Sequence, residues 1–398
     1  MEARGLMATA TVGSAVDLDV SVAERLVAHI RQQSTDMVDA EMRVPRDHFT
    51  SPERAQAEIA LLKSRPLIVA HVSELPEPGD FITRDFWGAS VIITRTKSGE
   101  IRAYRNMCAH RGGRVEQKDS GKKHIFMCQY HGWSYNAEDG SLRPLSYEKT
   151  FGEVDYPCSG LAKIKTEVRY GLVFLDLSND PDRTLDDFLG PDVEAQLAPW
   201  AIEKSRIHID ETFVLPINWK LVMDGAVDSL HAQYLHPGPG NVGARTLTNV
   251  AVFERFGDHG RLFTPRTRLK KLVDSGEPLE ATTRYLASIM LLYPNALIAA
   301  APDHIEFWTV WPSANPAETT IRIRFFVREE VMSPEIEERV NKSWDILRNA
   351  AVNEDWPMEV WIQQNATEWP DGDFRYGRNE VSAQHLHGVL ARDLERQA

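Results

Sequence analysis

The sequence predicts an α+β protein in two parts: a small antiparallel β-domain in the first half and a larger antiparallel sheet with long helices packed on it in the second. Three observations lead there. Short strand-like runs punctuated by glycine turns crowd residues 65–166, longer strand-like runs fill 250–330, and helical patterns flank the latter on both sides. The expected division is 1–64 for a tail and helices packing with the larger domain, 65–166 for the small β-domain and 167–398 for the larger one.

Composition sets the outer bounds. With 398 residues and 42% hydrophobic content, the chain can bury a large core. A net charge of −13 argues against nucleic acid or an anionic membrane as partner. Of three cysteines, Cys108 and Cys128 fall in candidate ligand loops, so Cys158 is left without a partner, no disulfide framework is possible, and a reducing cytoplasm is the natural setting. Residues 1–19 lack the charged start and apolar run of a secretion signal and read as a disordered tail. The most apolar stretch, 285–302, is cut by Pro294-Asn295 and reads as two buried strands joined by a turn.

Each element follows from spacing. Val22, Leu26, Val27, Ile30 and Met37 predict an amphipathic helix within 20–43. Ser51 caps a second, with Pro52 in its first turn and 55–62 following. After Arg65-Pro66 come strands at 67–72, 81–84, 90–96, 101–105, 124–128 and 132–136, with Lys97-Ser98-Gly99 and Glu138-Asp139-Gly140 as hairpin turns. Residues 162–176 add strand pattern, and 180–187 read as a surface connection. Beyond it lie a strand at 207–215, a helix at 219–236, strands at 288–292, 297–301, 305–311 and 319–327, and helices at 335–358 and 380–394.

Chemistry concentrates in two places. Cys108-Ala-His110 and Cys128-Gln-Tyr-His131 sit on glycine-bearing loops at strand ends, with seventeen residues between His110 and Cys128. One Cys and one His from each of two facing loops is what a [2Fe–2S] cluster with two imidazole ligands needs. A structural Cys₂His₂ zinc site is the alternative, although zinc ligands are usually spaced Cys-x₂₋₄-Cys and His-x₃₋₅-His. Downstream, on a helix, Asp224, Asp228 and His231 would share one face. His236 would stand about 140° away from His231 unless the helix ends, and Pro237 ends it. Two such imidazoles and a carboxylate make a facial triad for non-haem Fe(II); two histidines on a polar helix face is the plain alternative.

Together, the Cys/His loops and the Asn218-Trp219-Lys220 opening of Asp224-x₃-Asp228-x₂-His231-x₄-His236 resemble the Rieske non-haem iron oxygenases, the α subunits of aromatic-ring-hydroxylating dioxygenases. Gly113 and Tyr130 stand where respiratory Rieske proteins carry extra disulfide cysteines, which places the likeness on the oxygenase and ferredoxin branch. The resemblance implies a Rieske domain on a helix-grip catalytic domain, with one Rieske [2Fe–2S] cluster on Cys108, His110, Cys128 and His131 and one mononuclear Fe(II) on His231 and His236. It implies a downstream carboxylate as third ligand: Asp355, with Glu354 as runner-up. It gives Asp228 a catalytic role between one subunit's iron and its neighbour's cluster, and Asp224 a less defined one.

The implied function is a terminal oxygenase component that hydroxylates an aromatic or related cyclic organic small molecule with O₂. Its electrons would come from NADH or NADPH through a separate reductase, with or without a ferredoxin, in a homotrimer with or without a β subunit. A demethylating monooxygenase, a pure electron carrier and a zinc-stabilised binding module are the competing classes. Pocket walls are expected from Met223, Val227, Leu230 and the strands around Leu291, Leu297 and Phe307. The Gly238–Gly243 pattern lacks the strand-to-helix context of a dinucleotide site and reads as a mobile loop beside the metal. His385 and His387 read as surface or packing residues, and the basic run 261–271 as a solvated strand face.

Overall fold

The computed structural model describes residues 20–238, 241–276, 286–301 and 303–397. The predicted tail at 1–19, the ends of the 285–302 stretch and the middle of the 238–243 loop lie outside the described residues. The chain forms two compact units, one running to Leu61 and again from Leu189, the other Leu62–Phe188.

Helix α1 (Val20–Gln32) buries Val22, Leu26, Val27 and Ile30 on one face. It stops well short of residue 43. Thr35 instead exchanges hydrogen bonds with the backbone of Ala251, and Asp36 accepts from the Phe253 amide, so the chain is drawn onto the sheet and Met37 is left exposed. Strand β1 (Met42–Pro45) precedes α2 (Pro52–Lys63), whose first turn is capped as expected by Ser51 Oγ accepting from the Arg54 amide at 3.0 Å.

The second unit contains β2 (Pro66–His71), β3 (Asp80–Phe86), β4 (Ala89–Arg95), β5 (Ile101–Arg105), β6 (Ser120–Lys122), β7 (Ile125–Met127), β8 (Ser134–Asn136), β9 (Lys163–Arg169) and β10 (Leu172–Asp176). Seven of these form an antiparallel sheet in the order β2-β10-β9-β5-β4-β3-β6, and β7 pairs with β8 as a separate hairpin. The expected boundary at 166/167 therefore cuts through β9 and is corrected. Strand β10, buried along its whole length, sits between β2 and β9, so the sheet closes only late in the chain, and non-local pairing of that kind leaves little trace in a local pattern. The unit ends where α3 (Leu185–Leu197) breaks at Gly190, φ 72°, before Pro191.

The first unit resumes with β11 (Ser205–Leu215), α4 (Trp219–Ala226), α5 (Ala232–Leu235), β12 (Val252–Phe256), β13 (His259–Pro265), α6 (Thr267–Ser275), β14 (Leu286–Leu292), β15 (Ala296–Ala300), β16 (Ile305–Pro312) and β17 (Thr319–Arg328). Then follow α7 (Pro334–Ala350), a π-helical turn (Ala351–Asp355), α8 (Trp356–Glu368), β18 (Asp373–Tyr376) and α9 (Val381–Glu395). The sheet order is β11-β17-β16-β15-β14-β13-β12, antiparallel, while β18 pairs with β1. The protein is thus α+β, with a small antiparallel domain and a larger sheet carrying helices.

Three expectations change here. The helix expected over 219–236 is two helices, because the backbone leaves the helix at Val227 and re-enters at His231. The helix expected over 335–358 is interrupted by the π turn. The basic run is solvated only in part: Arg268, Lys270 and Lys271 are exposed, but on helix α6 and not on a strand. Arg261 is buried, its guanidinium 4.9 Å from the Trp200 ring and 4.6 Å from that of Phe263, donating to Gln196 and Ser288. Burial depresses its pKa to about 10.

Candidate metal centres

The two cysteine loops share one backbone design. In the first, the Cys108 amide donates to Gly113 O at 2.8 Å and the Gly112 amide to Cys108 O at 2.9 Å; in the second, Cys128 donates to Trp133 O at 2.9 Å and Gly132 to Cys128 O at 3.0 Å. Gly112 and Gly132 occupy the same position, with φ of 74° and 73°, where a side chain would be strained. Asn106 fastens the first loop from beneath: its Oδ1 accepts from the amides of Val115 and Glu116, and its Nδ2 donates to Glu116 O.

These loops bring all four predicted ligands together. Cys108 and Cys128 are buried, while the His110 and His131 rings meet at the surface with centroids 4.6 Å apart. Trp133 stacks on His110 at 5.0 Å, and Arg111 lies 3.0 Å from Nε2 of His131, leaving Nδ1 for a metal. Burial pushes the Cys108 thiol pKa up, with Cys128 close enough to add to the effect. Tyr135 Oη accepts from the Ala109 amide, so its own proton points to Cys108 Sγ, 3.1 Å away. Two enclosed sulfurs and two outward imidazoles fit a cluster with one iron on each pair.

The second centre is anchored by Asn218-Trp219-Lys220. Asn218 caps α4 and also donates to Phe49 O and Pro316 O. Trp219 Nε1 and Lys220 Nζ both reach the buried Glu58 carboxylate of α2, at 2.7 Å and 2.8 Å. Burial opposes the Glu58 charge, yet Lys220, Trp219 and Arg54 together hold its pKa below the ordinary value. At the far end of α4, Asp228 fills the gap between helices: Oδ1 accepts from the Leu230 amide at 2.6 Å and Oδ2 faces His231 Nδ1 at 3.1 Å. Asp224, Asp228 and His231 therefore do not share a continuous helix face.

His236 closes α5 before Pro237 in a non-helical conformation, as the sequence predicts, and its ring centroid lies 5.2 Å from that of His231. Asp355, delivered by the π turn, has Oδ1 2.9 Å from His236 Nε2 and 3.5 Å from His231 Nε2. Ligand atoms of His231, His236 and Asp355 all lie within 4.8 Å of one another, a spacing one metal ion can bridge. Glu354 stands on the other side of the ring, where it bonds His236 Nδ1 and accepts from Asn241 Nδ2. Burial opposes charging His236, but Asp355 and then Glu354 outweigh it and raise its pKa.

Asp224 does not reach the triad's ligand atoms. It accepts from Tyr376 Oη at 2.6 Å and sits 2.9 Å from His387 Nε2. His387 is thus a buried packing residue with a defined polar task, which its sequence position beside His385 does not disclose. Asn241, Tyr376 and Glu359 also escaped sequence reading; only the glycine-rich context of Asn241 offered a signal. A cavity of about 350 Å³ adjoins His231 and Asp355. Of the expected walls it takes Val227 alone, with Leu221, Phe253, Leu262, Phe374 and Tyr376 as further apolar lining. Met223, Leu291, Leu297 and Phe307 are instead packed into the core.

Fold and sites together define a two-centre iron protein, and comparison with known proteins specifies its family. Residues 198–396 match the ring hydroxylating alpha subunit (catalytic domain) and residues 65–155 match the Rieske [2Fe-2S] domain. The chain belongs to the ring-hydroxylating oxygenase α-subunit family, whose domains imply a Rieske cluster and a mononuclear iron.

Among curated relatives, terephthalate 1,2-dioxygenase terminal oxygenase component subunit alpha 2 from Comamonas sp is 35% identical over 41% of this chain and 41% of its own length. The carnitine monooxygenase oxygenase subunit of Acinetobacter baumannii is 29% identical over 49% of this chain and 52% of its own. The chain thus spans about half the length of the curated relatives it matches. In fold it is similar to the quaternary ammonium Rieske monooxygenase CntA with L-carnitine (TM-score 0.74, 20% identity, 94% of this chain and 99% of that one). It is also similar to naphthalene 1,2-dioxygenase from Rhodococcus sp. (TM-score 0.72, 20% identity, 95% and 98%). Among the described residues, no helix is long and apolar enough to cross a membrane.

Proposed function

We propose that this chain is the terminal oxygenase component of a multicomponent system that inserts oxygen from O₂ into an aromatic or related cyclic organic molecule. The observation that carries this is the pairing, in one chain, of the Cys/His loops with a triad whose ligand atoms converge within 4.8 Å. When bound, the cluster supplies single electrons and the ferrous ion supplies the centre for O₂ reduction. Cys108, His110, Cys128 and His131 would hold the first, and His231, His236 and Asp355 the second. Glu354 is the poorer choice because it occupies the opposite nitrogen of His236, where it fixes the ring with Nε2 toward Asp355, the side on which a metal would be held. Asp228 does the same for His231.

The cavity beside the triad is large enough for a single-ring compound, and its apolar lining suits one. A second reading, N-demethylation or hydroxylation of a cationic substrate, draws on the acidic side chains of Asp224 and Glu380 in that lining beside the Phe253, Phe374 and Tyr376 rings. Incubation with reductase, NADH, ¹⁸O₂ and a panel of aromatic acids, arenes and quaternary amines tests both. Labelled product from the ring compounds supports the first reading, labelled product from the amines the second, and no label in any product rejects the oxygenase.

Electrons would come from NADH or NADPH through a separate reductase, with or without a ferredoxin, and cross between subunits of a homotrimer, with or without a β subunit. CntA, the fold relative, is described in terms of inter-subunit electron transfer. Asp228 suits such a junction: its side chain keeps 24% exposure after bonding His231, so a donor from the partner subunit's cluster domain can reach it. In stopped-flow mixing with O₂ and substrate, Asp228→Asn should keep both metals and slow cluster oxidation about a hundred-fold. Unchanged oxidation in that variant would place Asp228 outside the electron path.

A further inference from the structure

The two arms that meet at the triad touch where a glycine faces a buried acid. Helix α4 leads into Asp228, His231 and His236, α8 starts directly after Asp355, and the two helices pack together. Gly225 lies in α4; Glu359 lies in α8, one turn beyond Asp355. A Cβ at position 225 would overlap Oε1 of Glu359 and lie 3.5 Å from its carboxyl carbon, and among the described residues nothing else would stand within 4 Å of it outside α4's own backbone. Glu359 is buried, and its Oε2 has no hydrogen-bond partner. Oε2 therefore fills space instead of serving a donor. Burial, then the charges of Asp355 and Asp224, push its pKa well up. Gly225 is helical, without the positive φ that would demand glycine for conformation, and alanine would favour the helix. What glycine supplies here is room.

We propose that the Gly225–Glu359 contact sets the separation of the two ligand-bearing arms, and with it the ferrous-ion affinity of the triad. The inference rests on His231, His236 and Asp355 being the ligands. Anaerobic titration of Fe(II) into the full-length protein, stripped of mononuclear iron and still carrying its cluster, is the test. Gly225→Ala should weaken Fe(II) binding about ten-fold or more, in the range found when residues supporting metal ligands are altered. Gly225→Ala/Glu359→Ala should recover most of that loss, because removing the carboxyl removes the group the new methyl would strike. Glu359→Gln, of equal size, should bind as the parent does. The cluster's visible spectrum and the melting temperature report whether each variant is folded. Parental affinity in Gly225→Ala, or a double variant no better than Gly225→Ala, would overturn the proposal. Should Gly225→Ala not fold, Glu359→Ala decides alone: weaker Fe(II) binding with an intact cluster supports the spacer, and parental binding rejects it. His231→Ala in the same assay separates the two levels, since its retention of Fe(II) would reject the triad itself.

Discussion

In the small domain the four ligands come from two loops that repeat the same hydrogen bonds at the same offsets from their cysteines, each closed by a positive-φ glycine. In the larger domain the three convergent side chains come from the two ends of α5 and from a π turn more than a hundred residues later, and α4, which leads into them, is fastened to α2 and packs on α8. A site of the first kind is written into local backbone geometry. One of the second kind depends on packing, and should respond to substitutions that touch no ligand.

The sharpest contrast expected within the larger site is between two adjacent carboxylates. Asp355→Ala should abolish mononuclear iron binding, because it removes the group facing both Nε2 atoms. Glu354→Ala should weaken binding only about ten- to a hundred-fold, because it merely frees the His236 ring. Iron content after gel filtration distinguishes them, and complete loss from Glu354→Ala alone would reverse the assignment.

A smaller effect is expected in the cluster domain. Tyr135→Phe should keep the cluster and lower its reduction potential by on the order of tens of millivolts, since a hydrogen bond to sulfur stabilises the more negative reduced state. Redox titration followed in the visible region measures it; an unchanged potential would show that Tyr135 serves packing alone.

The smallest effect concerns the frame behind Asp355. His304 is buried between Asp303 and Glu306, while Arg339 of α7 reaches Asp303, tying the helix that leads to the π turn onto the sheet. Burial lowers the His304 pKa, but Asp303 and Glu306 outweigh it and raise it to about 9. A pKa raised on folding contributes stability fully present below the unfolded value near 6.5 and lost as pH rises through about 9, at most about 3 kcal/mol here. The melting-temperature gap between parent and His304→Gln should therefore be widest near pH 6 and shrink by pH 10. A gap that widens with pH would contradict the ion-pair account.

Much of this was legible in the sequence because it is local. The Cys-x-His and Cys-x-x-His spacings, the Ser51 cap, the Pro237 stop and the strand at 101–105 each depend on neighbouring residues, and each is where the pattern places it. What escaped reading depends on distant partners. No periodicity reveals that β10 inserts between β2 and β9, that Asp228 bends the chain between two helices, or that His387 holds Asp224 from α9. The pocket walls failed for the same reason, since side chains such as Leu291 and Leu297 are apolar whether they line a cavity or fill a core. Glu354 and Asp355 differ only in which imidazole nitrogen they face.

The central claim is that one chain carries two independent iron sites, and metal analysis of single-site variants tests it most directly. Purified parent protein should contain about three irons and about two acid-labile sulfides per chain, one [2Fe–2S] cluster and one mononuclear ion. His231→Ala should retain about two irons, both sulfides and the full visible spectrum, whereas Cys108→Ser should lose sulfide and spectrum together. A His231→Ala protein with the parent's iron content, or a Cys108→Ser protein with an unchanged spectrum, would contradict the account.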